Sequence, residues 1–220
     1  MGSVKETMQA LELNVVANSA VKTEEENLYP PLKERVKDYY HNPRKSAFGW
    51  VGGKSKIADT IIAEFAEHKT YVEVFGGALS VLYRKERSQI EIVNDIYEEL
   101  VNLHLTIRNR PQSLRACLNT MLVSRDVFSL LKNKKIEPRN DIERAAFYFY
   151  RTVLSFGSAG DNFAMPKKRR AIRNIYGTFK LFHNRLKSVC IENMDFAKLI
   201  QNYDAESTLF YVDPPYVGTE

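Results

Sequence analysis

The chain comprises 220 residues with a net charge of +5, 44% hydrophobic and 27% charged, and its two cysteines, Cys117 and Cys190, lie far apart in sequence. That composition excludes wholesale disorder and argues against a disulfide scaffold or a C-x-x-C zinc site, so neither cross-link nor metal is expected to hold the fold together. No run approaches the roughly 18 uninterrupted apolar residues of a membrane span, Arg151 breaks the richest stretch, and no signal-peptide pattern opens the chain, which points to a cytoplasmic protein with no membrane partner.

Residues 1–26 carry five acids, Glu6, Glu12, Glu24, Glu25 and Glu26, without sustained periodicity, and a Tyr29-Pro30-Pro31 break follows. A flexible extension over residues 1–44 is expected. After Gly52-Gly53, the apolar residues Ile57, Ala58, Ile61, Ile62 and Phe65 recur at helical spacing and predict a helix beginning near Lys54. Residues 71–75 read as a short strand stopped by Gly76-Gly77, and residues 78–86 as the helix that follows. A second strand over 89–93 runs into Asn94-Asp95 and a helix over 96–108. Strands thus alternate with helices as in an α/β fold with a parallel sheet.

From Pro111 the alternation lapses into helical segments over 111–123, 126–134 and 141–155, with proline at a first helical position and aspartate at the caps. A Gly- and Asn-containing loop over 156–163 leads into a basic stretch. Residues 162–187 hold Lys167, Lys168, Arg169, Arg170, Arg173, Lys180, Arg185 and Lys187 and no acid, so a mildly acidic remainder carries one strongly cationic element. A polyanion is the natural partner, and a solvated basic helix face is the alternative. A helical pattern over 174–186 closes the segment. Strand patterns over 188–191 and 208–212 then lead to Asp195-Phe196 and Asp213-Pro214-Pro215-Tyr216. The expected organisation is an α/β domain made of 45–109 and 188–220, interrupted by a helical and basic insertion over 110–187.

In an open α/β sheet, ligands bind beyond the carboxyl ends of the strands, and four unusual residue groups fall there: Phe75-Gly76-Gly77, Asp95, Asp195-Phe196 and Asp213-Pro214-Pro215-Tyr216. Glycine after a strand lets a ligand approach the backbone, and an acid about 20 residues later, here Asp95, can accept from both ribose hydroxyls. Taken singly, Gly-Gly is an ordinary tight turn and Asp an ordinary helix cap; their spacing together favours a nucleoside ligand. The tetrapeptide suggests chemistry on an amino group. An adenine amino nitrogen is a poor nucleophile because its lone pair is delocalised into the ring, and acceptors on its two hydrogens help localise that pair. Asp213 and the Pro214 carbonyl can supply those acceptors. The prolines Pro214 and Pro215 narrow φ and remove competing N–H donors, and Tyr216 offers a face on which a base can stack. The alternative is a plain turn after a buried strand.

The tetrapeptide and the Phe75-Gly76-Gly77 turn together resemble the DNA adenine methyltransferases of the Dam-like (D12) class, and the order of cofactor motif, recognition insertion and catalytic tetrapeptide agrees over about residues 48–220. The resemblance implies a Rossmann-like, S-adenosylmethionine-dependent enzyme of bacterial or phage origin that acts on double-stranded DNA, flips out an adenine and methylates its amino group without a metal. It gives Trp50, Gly52, Gly53 and Lys54 to the N-terminal cofactor motif, with Lys54 near the methionine carboxylate. Glu73, Phe75, Gly76 and Gly77 form the cofactor loop, Asp95 serves the ribose, and Asp195 with Phe196 serves the cofactor's adenine. Asp213, Pro214, Pro215 and Tyr216 become the catalytic group. The insertion is the DNA-binding part, with Lys167, Lys168, Arg169, Arg170 and Arg173 placed on phosphates.

The family's sheet continues past its tetrapeptide, whereas this chain stops four residues after Tyr216. A sheet incomplete at its C-terminal end is therefore expected, completed by a longer gene product or by a second chain, with little activity from the 220 residues alone. A nucleotide triphosphatase is disfavoured because Gly49 precedes Gly53-Lys54-Ser55 by one residue too few for a phosphate loop. The stronger alternative is a non-catalytic DNA- and cofactor-binding module, separated from the enzyme by measuring methyl transfer and DNA binding on one sample.

Overall fold

Among the described residues, four short strands carry the fold: β1 (Thr70–Glu73), β2 (Ile90–Asn94), β3 (Val189–Glu192) and β4 (Thr208–Tyr211), in the spatial order β3-β2-β1-β4. The computed structural model describes residues 43, 45–164 and 179–215. Every pairing is parallel; Val72 lies opposite Ile92 on one side and Phe210 on the other. The strand C-termini therefore emerge along one edge. From β1 the chain moves outward through β2 to β3, then returns to set β4 on the opposite side of β1. That reversal is a topological switch point, and it leaves a crevice beyond the ends of β1 and β4. The α/β class and parallel sheet are as expected, and consistent with a Rossmann-like arrangement.

Alternation along the strands divides the core. Val72, Val74 and Ile92 pack on one face of the sheet with Leu199. Tyr71, Val93 and Val189 belong to a larger core with Leu100, Leu103, Ile107, Leu114, Phe149 and Leu186. Each central strand also buries an acid, Glu73 on β1 and Glu91 on β2. Among the described residues the α-helices are α1 (Ala58–Ala63), α2 (Glu98–Asn109), α3 (Pro111–Thr120), α4 (Arg125–Lys132), α5 (Asp141–Val153), α6 (Lys180–Leu186) and α7 (Phe196–Tyr203). α2 packs against α5 and α6, and α3 against α5. The core thus runs without a break from the sheet into the helical segment.

Several local expectations are corrected. Residues 78–86 form successive turns rather than a helix. Leu79 takes a left-handed φ of 56°, and the N–H of Leu82 donates to the Glu73 carboxylate at 3.1 Å instead of to a carbonyl one turn back. α1 starts at Ala58 because Gly53 N–H bonds to Trp50 O and Ile57 N–H to Lys54 O, closing two tight turns ahead of it. The caps of α4 and α5 are the side chains of Ser124 and Asn140, which accept from the first-turn N–H groups. Asp126 and Asp141 lie inside the first turns, two residues and one residue past those caps, where the helix dipole favours an acid. α7 was not anticipated from the sequence; Asp195 caps it, accepting from Ala197 N–H.

A buried ion cluster joins α6 to the sheet. Arg185 is fully buried, and its Nη1 and Nη2 donate to the two Glu91 oxygens at 2.5 and 2.8 Å; Lys85 Nζ donates to Glu91 Oε1 at 2.8 Å. Burial pushes the Glu91 carboxyl up, but the two cations more than compensate and hold it below the usual range. Arg185 is therefore spent on the fold, and its place among the cations expected to face a polyanion is withdrawn. The residues Lys167, Lys168, Arg169, Arg170 and Arg173 lie outside the described residues.

Candidate active site

The crevice at the switch point is a cleft of about 490 Å3. Among the residues singled out from the sequence, it gathers Trp50, Gly52, Gly53, Lys54, Glu73, Phe75, Gly76, Gly77, Asp95, Asp213, Pro214 and Pro215. Tyr216 lies outside the described residues. Asp195 and Phe196 do not line the cleft, because β3 is the far edge strand, two positions from β1. Phe196 is nonetheless half exposed, and its ring stands 5.7 Å from that of Phe75, a lining residue.

The loop after β1 is held by its neighbours. Gly76 N–H donates to Asn94 O at 2.7 Å, and a Cβ on Gly76 would lie 3.0 Å from that carbonyl and 2.9 Å from Leu79. Gly77 has a left-handed φ of 50°, and a Cβ there would fall 2.9 Å from the Trp50 indole. Glycine is thus required at both positions, by close approach at the first and by both approach and backbone conformation at the second. Asp95 Oδ2 accepts from Gly77 N–H and Oδ1 from Tyr97 N–H, each at 3.0 Å. These bonds orient the carboxylate and leave further lone pairs on both oxygens. Buried Asn94 ties the three strand ends together: its Nδ2 donates to Val74 O and Met194 O, and its Oδ1 accepts from Met194 N–H.

Glu73 is buried at the floor of the cleft, where Oε2 accepts from Tyr71 Oη at 3.0 Å and from Leu82 N–H. Burial pushes its carboxyl up to about 8, against the pull of those two bonds and of Arg185 and Lys85. Lys54 Nζ donates to Asp213 Oδ1 at 2.7 Å and Oδ2 at 2.5 Å, and to Gly52 O at 3.0 Å. Tyr211 Oη adds a longer bond to Asp213 Oδ2 at 3.4 Å. The expected partner of Lys54 was a cofactor carboxylate; in the structure its ammonium sits on Asp213.

The sequence reading missed Ser80, Tyr97 and Tyr211, which also line the cleft. It missed as well a smaller adjoining cavity of about 140 Å3 that shares Trp50, Val51 and Tyr97 and adds Tyr148 and Arg151 from α5. Tyr97 and Tyr148 meet edge to face at 5.6 Å, a contact no linear pattern announces. The larger cleft is of ligand-binding size, and its chemistry suits a nucleoside bearing a charged amino acid. It offers an oriented carboxylate for a diol, a bare glycine face where any side chain would intrude, aromatic rings for a base, and a lysine.

Residues 50–220 match the family model of the D12 class N6 adenine-specific DNA methyltransferases. No curated protein matches the chain.

Proposed function

We propose how this chain, which belongs to the D12 class of N6 adenine-specific DNA methyltransferases, performs the reaction that its family implies. That reaction is the transfer of a methyl group from S-adenosylmethionine to the exocyclic amino group of adenine in DNA. The observation that carries the assignment is the convergence of the Gly76-Gly77 loop, Asp95, Lys54 and Asp213-Pro214 on one cleft at the β1–β4 switch point. In this reading Asp95 accepts from the ribose hydroxyls, the Gly76-Gly77 backbone lies against the nucleoside, and Phe75 with the neighbouring Phe196 flanks the cofactor's adenine. Asp195 serves through α7, by holding the start of the helix that presents Phe196.

When bound, the cofactor supplies an electrophilic methyl group on a sulfonium. The protein's own task is to bring a nucleophile in line and to localise its lone pair. An amino group paired inside a duplex is out of reach, so the target adenine is flipped out, at a cost of a few kcal/mol, toward Asp213 and the stacking face of Tyr216. Both Asp213 oxygens are engaged by Lys54 in the structure. Moving the Lys54 ammonium onto the methionine carboxylate would uncover them. Asp213 then accepts one amino hydrogen and the Pro214 carbonyl the other, drawing the lone pair onto N6. The Asp213 carboxylate would then pass the surplus proton of N6 to solvent. Lys167, Lys168, Arg169, Arg170 and Arg173 hold phosphates and set the orientation of the duplex.

The placement is tested by calorimetric titration of S-adenosylmethionine into the wild-type chain and into Asp95→Ala. Loss of a charge-assisted acceptor is worth about 1.5–3 kcal/mol, so the variant should bind about tenfold to a hundredfold more weakly. An unchanged affinity would remove Asp95 from the cofactor site.

A further inference from the structure

α2 turns Leu100, Leu103 and Ile107 into the core, and His104 stands in the same buried strip, 3% exposed. A buried imidazole needs a partner. Its Nε2 lies 2.8 Å from the carbonyl oxygen of Gly77, in the loop after β1. A carbonyl only accepts, so Nε2 carries the proton and Nδ1 is bare. Nδ1 is itself buried, with no hydrogen-bond partner among the described residues. The ring of Phe48 covers the imidazole, with centroids 5.8 Å apart. Burial lowers the basicity of His104, and the Gly77 bond and the charge of Asp95 oppose that shift without overcoming it. A phenylalanine or leucine would fill the strip as well, but neither could satisfy the Gly77 carbonyl.

We infer that His104 is a positioning residue for cofactor binding, acting through the Gly77 peptide. Gly77 sits at φ 50° with no side chain to hold it there, and a free glycine samples both hands of the backbone about equally. Its N–H is fixed by Asp95 Oδ2 and its carbonyl by His104 Nε2, so the peptide planes on both sides of the Gly77 Cα are locked. Releasing the carbonyl frees ψ at Gly77 and, through the same residue, loosens the N–H that orients the Asp95 carboxylate. His104 thereby sets the glycine face and the ribose acceptor in place before a ligand arrives, which reduces the ordering cost of binding. The inference rests on the cofactor reading of the cleft.

The test is calorimetric titration of S-adenosylmethionine into wild type, His104→Phe and His104→Gln, together with nitrogen NMR of the imidazole in wild type. A glutamine amide can present an N–H near the position of Nε2, and a phenyl ring cannot. His104→Phe should bind about tenfold more weakly, the scale of one buried acceptor left unpaired, while His104→Gln stays close to wild type. DNA affinity without cofactor should be the same in all three, and the NMR should show a protonated Nε2 and a bare Nδ1. Should His104→Phe fail to fold, His104→Asn carries the comparison, because its shorter amide stops short of Gly77 O. A folded Phe or Asn variant with wild-type affinity, or a proton on Nδ1 in place of Nε2, overturns the inference alone. A wild-type chain that does not bind S-adenosylmethionine overturns the reading of the cleft, and this inference with it.

Discussion

Glu73→Gln should stabilise the protein in a pH-dependent way. Glu73 is 2% exposed, its Oε2 accepts from Tyr71 Oη and Leu82 N–H, and burial pushes its carboxyl up from 4.5 to about 8. The folded state therefore prefers the protonated acid. Its contribution to stability is full below about pH 4.5 and is lost as the pH climbs through about 8, because the unfolded chain ionises first. At about 1.4 kcal/mol per pH unit, the loss across that window approaches about 5 kcal/mol. Glutamine has nearly the same shape, keeps an acceptor for Tyr71 and Leu82, and never ionises. Urea denaturation of both proteins from about pH 5 to about pH 8.5 isolates Glu73, because every other titrating group is common to the pair. The advantage of the variant should be small at the acid end and grow to several kcal/mol at the alkaline end. A difference that does not change with pH would refute the reasoning. In the cofactor reading, a cationic ligand entering beside Glu73 favours the ionised form, so binding near neutral pH should also release a proton, visible as a buffer-dependent heat.

Two further outcomes follow from the charges. Arg185→Met should lower stability by about 3–5 kcal/mol in urea denaturation, since it leaves Glu91 buried with Lys85 as its remaining cation, and Glu91→Gln in the same chain should recover part of the loss. Neutralising Lys167, Lys168, Arg169 and Arg170 together should weaken duplex binding and flatten the plot of log affinity against log salt by about 0.9 for each phosphate no longer neutralised; an unchanged slope removes them from the DNA surface.

Much of the cleft was legible because its chemistry is written in short local motifs. Phe75-Gly76-Gly77 and Asp213-Pro214-Pro215 announce a backbone laid bare after one strand and two acceptors placed after another, and each needs only neighbours in sequence. What escaped depends on residues far apart. Lys54 and Asp213 are 159 positions apart, so nothing in the local pattern shows that the ammonium of Lys54 rests on the Asp213 carboxylate. Arg185 reads as one more cation in a basic run until α6 turns it under the sheet onto Glu91, 94 positions away. The turns over 78–86 defeated a good helical pattern because Glu73, outside the segment, takes the Leu82 N–H. His104 did leave a trace, as a polar residue in an otherwise apolar helical strip. Such a residue must find a partner, but only the fold shows that the partner is Gly77.

In the proposed reading Asp213 supplies the acceptor that activates the adenine amino group, in a cleft whose cofactor contacts are made by other residues. Its most direct test is the rate at which labelled methyl from S-adenosylmethionine reaches adenine N6 in duplex DNA with Asp213→Ala and with wild type, with cofactor affinity measured on the same samples. Removing one preorganised hydrogen-bonding group at a reacting centre costs about 10²–10³ in turnover, so transfer by the variant should fall by at least that much while cofactor affinity does not fall, since the Lys54 ammonium no longer has to leave Asp213. Methylation by Asp213→Ala at the wild-type rate would contradict that role of Asp213.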